Sequence, residues 1–402
     1  MLRNFIILLS AQVFVAFGGL TLPPLIPFLQ SELKMNYTHV GSIMTFLYLG
    51  AMVISLPAGW LTDRLSIKKM VLLSQVMMGC FVILYSLVGN YIAAILLAFA
   101  MGVAYGMVNP PTTIGIMLLV RKEMRGIAMS IKQTGVPLGG ALAAGLLPPL
   151  ALRFSWKVSF IFAGGAIILS GLLSQLLYQQ SQRNNINAHF DPKGKSQEIC
   201  GRTYLDKNII FLGIGGAFCA IVQISLVTYI ILYLKDVKNF DLILAAFCLT
   251  LVNIGGILGR VFWGMVSDWL FKGSRKALLK IIVSLIFLTS LILALNMPLS
   301  LVVLFVVLFI FGFSAMGWNG IFLAFIGELA DKDTAGRAVG LCMMFTFIGN
   351  LIGPILFGKI LDMTRSYSLG WYFLCTSMVG AFLLFSLIEE KGISVDYKGG
   401  IG

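Results

Sequence analysis

Two basic side chains stand where a charge is costly. Arg260 lies inside an apolar run near 241–265 and Lys132 inside one near 126–150. An ionisable group held in hydrocarbon marks a substrate or ion pathway by default. Arg260 precedes Asp268 by two helical turns, and Lys132 follows Arg125 by nearly the same interval. At 1.5 Å per residue they sit ~12 and ~10 Å in from one boundary, close to the middle of a ~30 Å core. Two cations at one depth would attract an anion if both faced one cavity. The guanidinium offers a planar fork matched to a carboxylate or another oxyanion, and the ammonium a mobile point charge. The competing reading is that each side chain snorkels to the surface or closes on a helix end. Gln133, Asn109, Asn253 and Asn319 bring amides that either bind a polar substrate or tie helices together. Tyr105 and Trp318 either shape a cavity or pack.

Other chemistry is missing. Asp63, Asp268 and Glu328 mark the ends of apolar runs, and no Asp or Glu falls in the middle third of any run. A buried proton-relay carboxylate is therefore not visible, which counts against export of cations. His39 lies near one end of its run and His189 in a polar stretch, so neither is a central switch. Cys80, Cys200, Cys219, Cys248, Cys342 and Cys375 show no CxxC spacing, and all but Cys200 lie in apolar runs. They read as small core residues, not as disulfides or a metal site. HExxH and GxSxG motifs are absent, so no catalytic residue, metal or cofactor is predicted and the chain is not read as an enzyme.

The elements that must position Arg260 and Lys132 are membrane helices. The 402 residues are 59% hydrophobic and 11% charged, where a soluble domain carries about 25% charged residues. Apolar runs long enough to span, each about 20 residues, lie near 5–29, 38–61, 70–89, 91–119, 126–150 and 157–179. A second six lie near 208–234, 241–265, 277–296, 298–328, 337–361 and 369–388. The first run continues past Pro23 and Pro24 without a cleavage site, so it is a span and not a signal peptide. The expected organisation is a six-helix bundle over 1–179, a linker over 180–207, a second bundle over 208–390 and a tail over 391–402.

The net charge of +13 is scattered in short segments between runs, which argues for membrane orientation over a nucleic-acid patch. Arg64, Lys68, Lys69, Arg121, Lys122, Arg125, the linker, Lys272, Arg275 and Lys276 all fall on one side. By the positive-inside rule that side, with both termini, is cytoplasmic. An internal repeat runs through the chain. Gly59-x-x-x-Asp63 recurs as Gly264-x-x-x-Asp268, and Gly102 with Asn109 recurs as Gly312 with Asn319. Duplicated halves around a central site are a common transporter plan, because rocking one half on the other exposes the site to each side in turn.

The string Gly59-Trp60-Leu61-Thr62-Asp63-Arg64-Leu65-Ser66-Ile67-Lys68-Lys69 resembles the cytoplasmic loop motif of the major facilitator superfamily, with Ser66 where that family usually has Gly. The resemblance covers nearly the whole chain. It implies an all-α integral membrane fold of twelve transmembrane helices in two pseudo-symmetric six-helix bundles, with Lys132 and Arg260 facing one cavity. It also implies a cytoplasmic gate in which Asp63 faces the helix beginning near Arg337 and Asp268 its counterpart. Glu123 and Arg125, mirrored by Glu328 and Arg337, complete the gate, with Gly264, Arg275 and the basic residues of the loop. Gly135, Pro137, Gly139 and Gly140, with Gly349, Gly353 and Pro354, resemble the family's Gly-Pro motif, which is associated with exchangers and equally with plain packing. Gly259-Arg260-Val-Phe-Trp-Gly264 resembles monocarboxylate and oxalate:formate porters, where such an Arg binds the carboxylate.

The function implied is secondary active transport of a small organic or inorganic anion across the cytoplasmic membrane. The mode is alternating access, by proton-linked symport or anion exchange. The other reading is efflux of a neutral or amphiphilic compound. The expected partners are the anion, protons and the lipid bilayer, with the chain acting as a monomer.

Overall fold

The computed structural model describes residues 2–121, 124–179, 206–269, 274–330 and 334–389, and every regular element among them is helical. Span 1 comprises α1 (Leu2–Gly19) and α2 (Leu22–Glu32). Spans 2 and 3 are α3 (Tyr37–Leu65) and α4 (Ile67–Tyr85). Span 4 comprises α5 (Tyr91–Met107) and α6 (Asn109–Leu119). Spans 5 and 6 are α7 (Arg125–Arg153) and α8 (Trp156–Leu177). The second half repeats this plan: α9 (Lys207–Asp236), α10 (Leu242–Trp269), α11 (Arg275–Ala294), α12 (Leu301–Ala315) with α13 (Trp318–Leu329), α14 (Ala335–Thr364) and α15 (Tyr367–Leu387). Twelve spans are long and apolar enough to cross a membrane. Most of the expected linker and the tail lie outside the described residues.

Polar caps start the spans. Asn36 accepts from the His39 amide, Asn90 from Ala93, Ser155 from Lys157, Asp206 from Asn208 and Ser300 from Val303. Each cap satisfies an amide that the helix itself leaves open. Three spans are broken, at α1/α2, α5/α6 and α12/α13. Pro23 and Pro110 each fall in the first turn of a resumed helix, where the missing N–H breaks no bond. The third break, at Met316–Gly317, has no proline. A side chain at Gly317 would run into Trp263 and the main chain of Gly259.

The repeat is physical. Gly102 of α5 lies against the Leu47 main chain of α3, and Gly312 of α12 lies in the same way against Val252 of α10. Gly50 likewise meets Phe99 and Val103, as Gly255 meets Phe309 and Phe313. A Cβ at any of these would overlap backbone, so the helices touch at their axes' closest approach. The halves meet along two seams, α7 on α10 and α3 on α14. Cys219, Cys248, Cys342 and Cys375 are buried as expected, but Cys80 is exposed. It faces outward from α4, a correction to its reading as a core residue. Cys200 lies outside the described residues.

Candidate functional site

Arg260 is 8% exposed. Its Nε donates to the Met316 carbonyl at 3.0 Å and its Nη1 to the Gln133 carbonyl of α7. The first bond satisfies a carbonyl freed by the break between α12 and α13; the second crosses from one half to the other. Tyr48 of α3 and Tyr105 of α5 stand within electrostatic reach of the guanidinium, their rings edge to face at 6.3 Å. Tyr105 also packs on Gly19 beside the break in span 1.

Lys132 is 1% exposed. Its Nζ donates to Asn109 Oδ1 at 3.2 Å and Thr113 Oγ1 at 2.9 Å, both on α6. The side chain stays inside the bundle and does not snorkel. Arg260 reaches the main chain of α7 at the very next residue, so both cations engage a single turn of α7. Among the described residues neither is ion-paired to a carboxylate.

The amides divide. Gln133 meets Arg260 through its main-chain carbonyl, where the sequence reading had looked to its side chain. Asn253 donates to Leu249 of its own helix at 2.8 Å, and its buried Oδ1 has no partner. It lies on the α7–α10 seam, where a Cβ at Gly140 would stand 2.9 Å from its Cγ. Trp318 Nε1 and Asn319 Nδ2 both donate to Gln223 Oε1, at 3.0 and 3.1 Å. Sequence reasoning passed over Gln223, and also Gln12 of α1, which accepts from Thr112 at 3.4 Å and whose Nε2 is buried without a partner. Gln12 lies in span 1 and Gln223 in span 7. An uncharged amide in the middle of an apolar run was the available signal.

The Gly-Pro residues pack. Gly135 and Gly139 lie against α1 at Gln12, Val13 and Phe17, and Gly140 lies against α10, with Pro137 buried between them. Gly349 and Gly353 lie against α9 at Ala217 and Ile221. The Pro354 carbonyl accepts from Tyr229 at 2.8 Å.

At the end carrying the termini the glycines of α3, α7, α10 and α14 face open space. Nothing lies within 4 Å of a Cβ built at Gly59, Gly126, Gly264, Gly336 or Gly340. The Arg275 Nε meets Glu328 at 2.6 Å and its Nη1 meets Ser267 at 2.9 Å, all within one half. Arg64 stacks 3.7 Å over Trp60. Lys69 and Arg337 are exposed, and Lys68 and Arg125 half-buried. Glu123 and the side chains of Asp63 and Asp268 lie outside the described set. Beyond the last span, the bond to Lys207 at 2.9 Å holds the Glu389 carboxyl below its ordinary range.

The opposite end is closed. Asp362 at the end of α14 accepts from the Tyr37 and Thr38 amides at 3.0 and 2.8 Å and from Thr38 Oγ1 at 2.5 Å. It thereby caps α3 of the other half. Tyr37 and Tyr367 both donate to Asp236, at 2.9 and 2.6 Å. Tyr229 bridges the Tyr37 and Pro354 carbonyls, each at 2.8 Å. Gly41 and Gly358 leave room for this wedge. Among the described residues, every hydrogen bond between halves lies at this end or in the middle of the molecule.

Residues 8–354 match the Major Facilitator Superfamily. A probable galactarate/D-glucarate transporter, GudP of Bacillus subtilis (strain 168), is 24% identical over 392 residues, covering 89% of this chain and 85% of the relative. A hexuronate transporter of the same organism is 23% identical over 375 residues, with the same coverage of 89% and 85%. A crystal structure of the nucleoside transporter NupG, in a point-mutant form, superimposes with a TM-score of 0.78 at 16% identity over 97% of this chain and 100% of that one, a likeness of fold alone. Neither relative is a monocarboxylate or oxalate:formate porter, so the match in α10 does not narrow the chain to that group.

Proposed function

The chain belongs to the Major Facilitator Superfamily and is a multi-pass secondary transporter, not an enzyme; from that premise we propose that it carries a small organic anion whose carboxylate is drawn to Arg260. The observation that carries this reading is a guanidinium buried on the seam between the halves with no carboxylate partner among the described residues. Main-chain carbonyls orient such a group but leave its charge unneutralised, and an unneutralised buried charge is costly. An arriving anion removes that cost. Lys132, one residue away along α7 from the carbonyl that Arg260 holds, adds positive potential at the same depth.

The relatives' printed substrates, galactarate/D-glucarate and hexuronate, are hydroxylated carboxylates. Tyr48, Tyr105, Gln223 and Asn319 supply hydroxyl and amide groups beside Arg260 or beside Met316, whose carbonyl Arg260 shares with Asn319. A sugar acid is the substrate class that suits this set. By the bias of basic residues the termini are cytoplasmic, so the closed end is external and this conformation faces inward. Proton symport and anion exchange both fit a site with two cations. The glycines of α7 are occupied in packing, so they lend no support to efflux.

The test is uptake of labelled glucarate, glucuronate and lactate by proteoliposomes of the full chain. Arg260→Ala is expected to weaken uptake of the preferred anion by about 30-fold or more, the effect of removing one partner of a buried charge pair. Lys132→Ala should weaken it less. Wild-type rates for every anion in both variants would sink the reading.

A further inference from the structure

A groove of about 400 Å³ lies between α11 and α15, lined by Ala277, Lys280, Ile281, Ser284, Leu285 and Phe382. These helices pack on each other and on neighbours of their own half, and Ile281 and Phe382 are exposed. In a membrane protein the solvent against such a surface is lipid. One cation stands in it. Lys280 is the sixth residue of α11, ~7.5 Å along the axis from the helix start, a depth from which a lysine reaches the headgroups. Its Nζ lies 4.8 Å from the centre of the Phe382 ring.

No carboxylate among the described residues is ion-paired with Lys280. The acidic groups described nearby are committed elsewhere: Glu328 to Arg275, Glu389 to Lys207 and Asp206 to the Asn208 amide. Lys276, one helical turn before Lys280 and on the same face, donates to the Ile388 carbonyl at 2.7 Å. Among the described residues, the corner where α9 and α11 begin and α15 ends carries four basic groups, Lys207, Arg275, Lys276 and Lys280, against three acidic ones, Asp206, Glu328 and Glu389. Basic pockets of this kind between spans suit anionic headgroups.

We propose that this groove binds an anionic phospholipid, its phosphate held by Lys280 with Lys276 alongside and an acyl chain lying on Ile281, Leu285 and Phe382. The apolar walls decide between sources of phosphate. A free phosphate gains nothing from them, whereas a lipid places charge and hydrocarbon where the groove has their complements. The ammonium already stands over the Phe382 ring that lines the groove, a contact that holds the cation at the site.

The full chain in detergent is titrated with phosphatidylglycerol or phosphatidylcholine and bound lipid counted by native mass spectrometry. Wild type is expected to hold phosphatidylglycerol more tightly. Lys280→Gln should lower that affinity about fivefold, the effect of one basic residue near a membrane surface, while phosphatidylcholine binding is unchanged. Lys280→Arg should retain it, and Arg3→Gln, at the same end of the molecule but on span 1, should change nothing. Equal phosphatidylglycerol binding by Lys280→Gln and wild type would overturn the site. So would an equal loss in Arg3→Gln, which would mean that only general surface charge is at work.

Discussion

Ser66 joins α3 to α4 at φ 74° and ψ 151°, a backbone region open in practice only to glycine and costing another residue about 1–3 kcal/mol. The departure from the family's loop motif, visible in the sequence as a Ser in place of Gly, is thus a strained turn. Ser66→Gly is expected to stabilise the protein by about 1 kcal/mol, the relief being partly offset by glycine's greater freedom when unfolded. Thermal unfolding in detergent reads this out, and an unchanged or lower midpoint would show that no strain is relieved. Arg260 and Lys132 were legible because a charge among apolar residues has few explanations. Their partners were not. The Gln133 and Met316 carbonyls belong to the main chain, which every residue has, and Met316 is available only because span 10 breaks there without a proline to announce it.

At the scale of elements, the paired glycines control how closely spans approach. Gly102 of α5, packed against α3, and Gly312 of α12, packed against α10, are related by the repeat, and each lies on backbone that cannot rotate away. Gly102→Ala and Gly312→Ala are each expected to destabilise by about 1–3 kcal/mol, the range for overpacking. Gly59→Ala, in open space, should cost far less. Midpoints of thermal unfolding compare the three; a Gly312→Ala midpoint no lower than that of Gly59→Ala would contradict the packing role. The sequence showed the repeat through Gly102, Asn109, Gly312 and Asn319, yet it did not separate packing from transport chemistry at the Gly-Pro residues. That separation needs the neighbour, since a glycine's purpose lies in what it admits.

Across the whole molecule the two halves are joined at the end away from the termini, where Asp362 caps a helix of the other half and Tyr229 and Tyr37 bridge the seam. Hydrogen bonds to a charged acceptor contribute about 1.5–3 kcal/mol each, so Asp362 biases the equilibrium toward closure of this end. Asp362→Ala is expected to open it. Spin labels at Lys34 and Asn239, one in each half, should then show a longer-distance population, and an unchanged distance distribution would rule the latch out. The sequence by itself determined the membrane class, the twelve spans, the doubled plan and the two buried cations. These follow from local composition and spacing, because lipid forces each span to satisfy its own backbone and excludes stray charge. Only the tertiary structure decided which end is closed, which carbonyls hold Arg260, that Lys132 turns inward to α6, and that Lys280 looks onto a groove. Such contacts join residues far apart in the chain, and rigid halves can rock between arrangements that one sequence permits equally well.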